Sequence, residues 1–77
     1  MASSRTLDDL NIGETGEVGD ILTGHKLGRR LLEMGLTMGT AISLVRRAPM
    51  GDPIEVLVRG YHLTLRRSEA QVVQLRD

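Results

Sequence analysis

The sequence predicts a mainly β fold: a small curled barrel of about five short strands. One short helix lies between the first two strands, and a single helical turn precedes the last. Three observations point there. Nine glycines and two prolines punctuate 77 residues, leaving short segments between turn signals, as in small sheets and barrels. Several of those segments alternate apolar and polar residues, the period of a half-buried strand. The chain has no Phe, no Trp and one Tyr, so Leu, Ile, Val and Met must fill the core.

Glu17 to Thr23 (EVGDILT) reads as the first strand, with Gly19 marking a bulge or sharp bend. His25 to Met34 reads as the one substantial helix. Leu27, Leu31 and Met34 recur on one face, Leu32 broadens that stripe, and Lys26, Arg29, Arg30 and Glu33 lie largely opposite. Gly35 supplies a left-handed stop, and Leu36 folds back on the last turn. Thr40 to Arg47 (TAISLVRR) is the second strand, in which Arg46 continues the face of Ile42 and Leu44 toward solvent. Ala48-Pro49-Met50-Gly51-Asp52-Pro53 is a stiff loop, because neither proline fits a central ladder.

Ile54 to Arg59 (IEVLVR) alternates, with Ile54, Val56 and Val58 on one side and Leu57 on the other. Gly60-Tyr61 is the expected hairpin turn, and His62 to Arg66 is the return strand with Leu63 and Leu65 inward. Ser68-Glu69-Ala70 suits one helical turn capped by Ser68, and Val72 to Leu75 is the last strand. Closing such a sheet buries aliphatic residues without long edges. Residues 1–6 are expected to be a flexible amino terminus, and 7–77 one domain, since the length leaves no room for a second core.

Composition excludes several function classes. Ten Lys plus Arg balance ten Asp plus Glu, unlike a chain that lives on phosphates or a polybasic membrane peptide. A single aromatic cannot form a base-stacking platform, so no nucleic-acid partner is expected. The longest apolar run, Val56-Leu57-Val58, is far short of a membrane span. Without cysteine there is no disulfide and no thiolate metal site. No secretory signal follows Met1, so a cytoplasmic location is the default, and the start at Met1 reads as complete. A small aliphatic core leaves little margin of stability, which makes self-association an expectation too.

Leu31-Leu32-Glu33-Met34-Gly35-Leu36 with Gly39-Thr40, then Ala48-Pro49-Met50-Gly51-Asp52-Pro53, Arg59-Gly60-Tyr61 and Leu65-Arg66-Arg67-Ser68-Glu69-Ala70 together resemble the FeoA family. The resemblance runs from Leu7 to Leu75. It implies an SH3-like β-barrel and a small cytoplasmic accessory of bacterial ferrous iron uptake. The implied partner is FeoB, a membrane transporter with a cytoplasmic GTPase domain, contacted through that domain or its membrane part.

The residues themselves argue against catalysis. His25 and His62 lie in different elements, and no serine sits with a base and an orienting carboxylate. The glycines form no phosphate loop, and those from Gly13 to Gly19 stand among acids. No resident cofactor or metal is expected. The alternative is a metal-responsive domain in which His25, His62, Asp20, Glu33 or Asp52 would ligate iron, although their spacing carries no ligand signature.

Nine of the ten cations are Arg, a residue suited to interfaces. Residues 1–20 hold five acids and one base, and the rest nine bases and five acids. That asymmetry orients docking only if the fold keeps the halves apart. The expected contact surface joins the helix face (Arg29, Arg30, Glu33), the loop (Met50, Asp52) and the turn at Tyr61. Leu57, Met38 and Met50 are further exposed apolar candidates. An arginine offered in trans to the partner's GTPase is the sharpest version of this reading.

Overall fold

The computed structural model describes residues 5–22 and 24–76, of His25 the backbone alone. Strand β1 is Thr15–Ile21, helix α1 His25–Glu33, β2 Ala41–Arg47, β3 Ile54–Val58, β4 Tyr61–Leu65, α2 Arg67–Ala70 and β5 Val73–Arg76. A 3-10 helix at Leu7–Asp9, which no periodicity announced, precedes them. The expected strand end at Thr23, the flexibility expected of residues 1–4, the last residue Asp77 and any ligand role of the His25 side chain lie outside the described residues. Arg5 and Thr6 run beside β5, with Thr6 bridging Gln74.

The five strands form one antiparallel sheet in the order β4-β3-β2-β1-β5. The fold class is the expected one, with a correction of detail: the sheet is not closed. Among the described residues β4 and β5 are edges that do not pair with each other. The 3-10 helix and α2 pack near that seam instead, joined by hydrogen bonds from Arg67 and Gln71 to Asp8.

Alternation does the packing. Ile42 and Leu44 of β2 face Val58 and Val56 of β3, and all four are fully buried. Leu7, Val18, Leu31, Leu36, Ile54, Leu65 and Val73 complete an aliphatic core. Two irregularities shape the sheet. The β1–β5 register shifts between Val18 and Ile21, at Gly19 as expected. A Cβ on Gly19 would lie 2.9 Å from the Gln74 carbonyl oxygen, so close approach of β5 requires glycine there.

The β2–β3 register shifts between Leu44 and Arg46, which the sequence did not announce. The extra residue flips the following side chains to the opposite faces. Arg46 thereby stands across from outward-facing Glu55 rather than continuing the Ile42/Leu44 face, and Arg47 stands across from buried Ile54.

Three local expectations are corrected. The β3–β4 turn is Arg59-Gly60, with φ of 51° and 86°, and Tyr61 already pairs with Val58. Positive φ at both central residues matches the twist of a two-residue hairpin. Ser68 does not cap α2. The helix starts one residue earlier, and Glu69 reaches back to accept the Arg66 N–H at 2.9 Å. Leu32 is half exposed, because the narrow contact of α1 with the sheet is filled by Leu31, with Leu27 and Met34 at its margin.

The end of α1 follows its sequence. Gly35 has φ +99°, its N–H donates to the Leu32 carbonyl at 3.0 Å, and the Leu36 N–H donates to that of Leu31 at 3.1 Å. These are the paired bonds of a Schellman stop.

Candidate docking surface

Helix α1 separates two clefts. The first, of about 470 Å³, lies between α1, the β1 bulge and the segment after α1. Glycines at 19, 24 and 28 put no side chain into it, while Leu32, Leu36 and Met38 line it. Leu32 is 50% exposed and Met38 65%, and neighbouring Leu22 is 58% exposed. Asp20 and Arg29 stand at its walls. An aliphatic trough between one acid and one base suits an apolar side chain of another macromolecule, with polar groups orienting it at the rim.

The second cleft, of about 410 Å³, lies on the other side of α1 and is polar, lined among others by Arg30, Asp52, Thr64, Arg66 and Glu69. Its charges are largely matched internally. Arg30 binds Glu69 at 2.7 Å, and Asp52 accepts the Arg67 N–H at 3.0 Å.

The six residues singled out from sequence therefore divide. Arg30 and Asp52 share the polar cleft. Arg29 opens onto the aliphatic one. Glu33 is exposed on α1, and Met50 is 90% exposed on its loop. Tyr61 acts as a brace within the fold. Its hydroxyl donates to the Met34 carbonyl, pinning the end of α1 to the hairpin. Arg59 adds bonds to Thr37 and Thr40 at 3.0 and 3.2 Å. Sequence reasoning missed Leu22, Leu32 and Asp20 as surface features. The three glycines that line the trough were the available signal, but only the fold brings them together.

A tight charged cluster gathers on Asp8. Asp8 is bound by Arg47 at 3.0 Å, by Arg67 at 3.2 Å and by Gln71 at 3.2 Å. Arg47 also donates to the backbone carbonyls of Asp8 and Leu10. Burial alone would push the Asp8 carboxyl up, but the bonds from Arg67, Arg47 and Gln71 outweigh it and hold it below its usual range. Asn11 and Arg5 similarly lower Glu14. Asp8 of the acidic first segment is thus matched by arginines from later elements, whereas Glu14 is matched by Arg5 of the same segment, so the two halves of the charge distribution meet at Asp8.

Among the described residues no three His, Cys, Asp or Glu side chains converge as a metal site. His62 is exposed, with Glu55 at 3.9 Å. Asp20 and Asp52 occupy different clefts. Among the described residues no helix is long and apolar enough to cross a membrane.

The FeoA domain family model matches residues 5–77. A curated relative is the Fe(2+) transport protein A/Fe(2+) transporter FeoB fusion protein of Porphyromonas gingivalis, 29% identical over 69 residues. The match covers 90% of the present chain but 8% of that protein's length. Among solved structures, FeoA of Chlorobium tepidum is 38% identical with a TM-score of 0.87, covering 94% of this chain and 69% of that one. Stenotrophomonas maltophilia FeoA, described as an SH3 domain protein complexed with zinc, is 30% identical with a TM-score of 0.84, covering 95% and 91%.

Proposed function

Because this chain belongs to the FeoA family, we propose that it is a non-catalytic docking module that regulates ferrous iron import by binding the cytoplasmic side of the FeoB transporter. The observation that carries this reading is the aliphatic trough beside α1, with Leu32 and Met38 exposed at its lip. The fusion relative, in which a related domain and a FeoB transporter share one chain, supports the choice of partner.

The trough takes an apolar side chain from the transporter, and Arg29 and Asp20 fix its approach. Arg30, Glu33, Met50 and Asp52 flank the contact rather than carry it, and Tyr61 holds the helix in place. Binding works by population shift: the module favours one state of the transporter by the difference in its affinity for the two states. The protein acts in the cytoplasm and supplies no catalytic group of its own.

The test is binding to full-length FeoB in nanodiscs. Leu32→Asp combined with Met38→Asp should weaken binding at least about tenfold, the loss of a central apolar anchor. Arg30→Ala with Met50→Ala should change it by less than about threefold, as rim residues do. Unchanged affinity in the first variant removes the trough from the contact. Failure of the wild-type chain to bind removes FeoB as partner.

A further inference from the structure

The sheet has two edges, and among the described residues only one is covered. Along β5, Thr6 bridges Gln74 and the Leu75 N–H donates to the Arg5 carbonyl at 2.9 Å. Along β4, nothing among the described residues pairs with the outer edge. The two-residue turn makes Val58 and Tyr61 a hydrogen-bonded pair, and the alternation then leaves the N–H and C=O groups of His62 and Thr64 pointing away from β3.

Edge strands are ordinarily guarded by lysine, proline, a bulge or a covering segment. Tyr61-His62-Leu63-Thr64-Leu65 has no such residue. Its register with β3 is unbroken over five pairs, whereas β1–β5 and β2–β3 are both irregular.

We propose that β4 is a self-association edge, pairing with β4 of a second copy of this chain in a two-fold antiparallel register centred on Leu63. The nearby acids are already matched within the chain: Glu55 by Arg46, Glu69 by Arg30, and Asp52 by the Arg67 N–H. Tyr61–Leu65 itself contains no Asp, Glu, Lys or Arg, so the edge suits an uncharged strand of alternating character. β4 is itself such a strand.

The two-fold register sets Leu63 against its counterpart, Tyr61 opposite Leu65, and His62 opposite Thr64. Half-buried Leu63 and partly exposed Tyr61 gain cover. Arg66 falls opposite Gly60 of the second copy, so no like charges face each other directly. A five-residue edge is only about 17 Å long, so the pairing is weak, with small buried area.

Sedimentation equilibrium of the whole chain from about 10 μM to about 1 mM tests this, because contacts this small dissociate at micromolar concentration. The wild type should shift from monomer to dimer across that range. Thr64→Pro removes an outward N–H at a position where an edge tolerates proline, and it should remain monomeric throughout. Thr64→Lys, at an exposed site, should weaken the dimer at least about tenfold, and it decides the matter alone if the proline variant fails to fold. A wild type still monomeric at the top concentration, or a dimer indifferent to Thr64→Lys, overturns the proposal. So does a monomeric wild type whose affinity for FeoB falls with Thr64→Lys, since the edge would then serve the transporter. This readout needs no FeoB and stands whether or not the trough binds it.

Discussion

The cluster around Asp8 and the trough beside α1 use the same kinds of residue to opposite ends. At Asp8, two arginines and a glutamine converge on a carboxylate whose side chain is 8% exposed. Every group there is spent on joining the amino-terminal segment to β2 and α2. At the trough, Arg29 has no partner among the described residues, and Leu32 and Met38 stay in water. Satisfied, buried polar groups make a rigid join. Apolar side chains left exposed around a concave site mark a place kept for another molecule. One arginine thus holds the fold and another remains available, although both lie in Arg-Arg pairs.

The largest expected effect breaks the cluster. Asp8→Ala leaves Arg47, in the core-facing register, without its carboxylate and should cost about 3 kcal/mol, read as a fall in denaturation midpoint with an unchanged slope. Next comes the anchor of the trough's helical wall. Gly35→Ala forces a side chain into φ +99° and drives its Cβ against the Tyr61 hydroxyl. It should cost about 2 kcal/mol and disturb α1 before the sheet, which residue-resolved hydrogen exchange would reveal.

Acid titration sharpens the contrast. The Asp8 carboxyl is lowered in the folded chain, so its contribution is complete above the ordinary carboxylate range. It is lost as pH falls through the depressed folded value. Melting curves should therefore drop below about pH 4, and that part of the drop should be absent in Asp8→Asn. The smallest effect lies at the trough: Leu32→Asp should change stability by less than about 0.5 kcal/mol, as exposed sites do. A larger loss would mean that Leu32 belongs to the core.

Much of this was legible beforehand. Ile54, Val56 and Val58 alternate, Leu31 lies on a helical face, and Gly35 stops the helix, because these follow from local periods and φ preferences that a sequence carries directly. Arg47 was not legible as a cluster residue. Its face depends on one extra residue in β2, and nothing local in Ser43-Leu44-Val45-Arg46 marks that bulge. The site residues suffered for the same reason. Arg29 and Arg30 are neighbours in sequence, yet α1 sends one to an aliphatic trough and the other to Glu69, 39 residues away.

By itself the sequence determined an aliphatic, glycine-punctuated sheet with one helix, because composition, period and turn chemistry are properties of short stretches, while the family was legible only through the resemblance of its motifs. Tertiary structure alone decided that Asp8 is a hub, that Leu32 faces water, that the sheet stays open, and that glycines from β1 and α1 share one trough. Each of those depends on which distant segments meet, and a single register shift or an unpaired edge changes the answer without altering any local pattern.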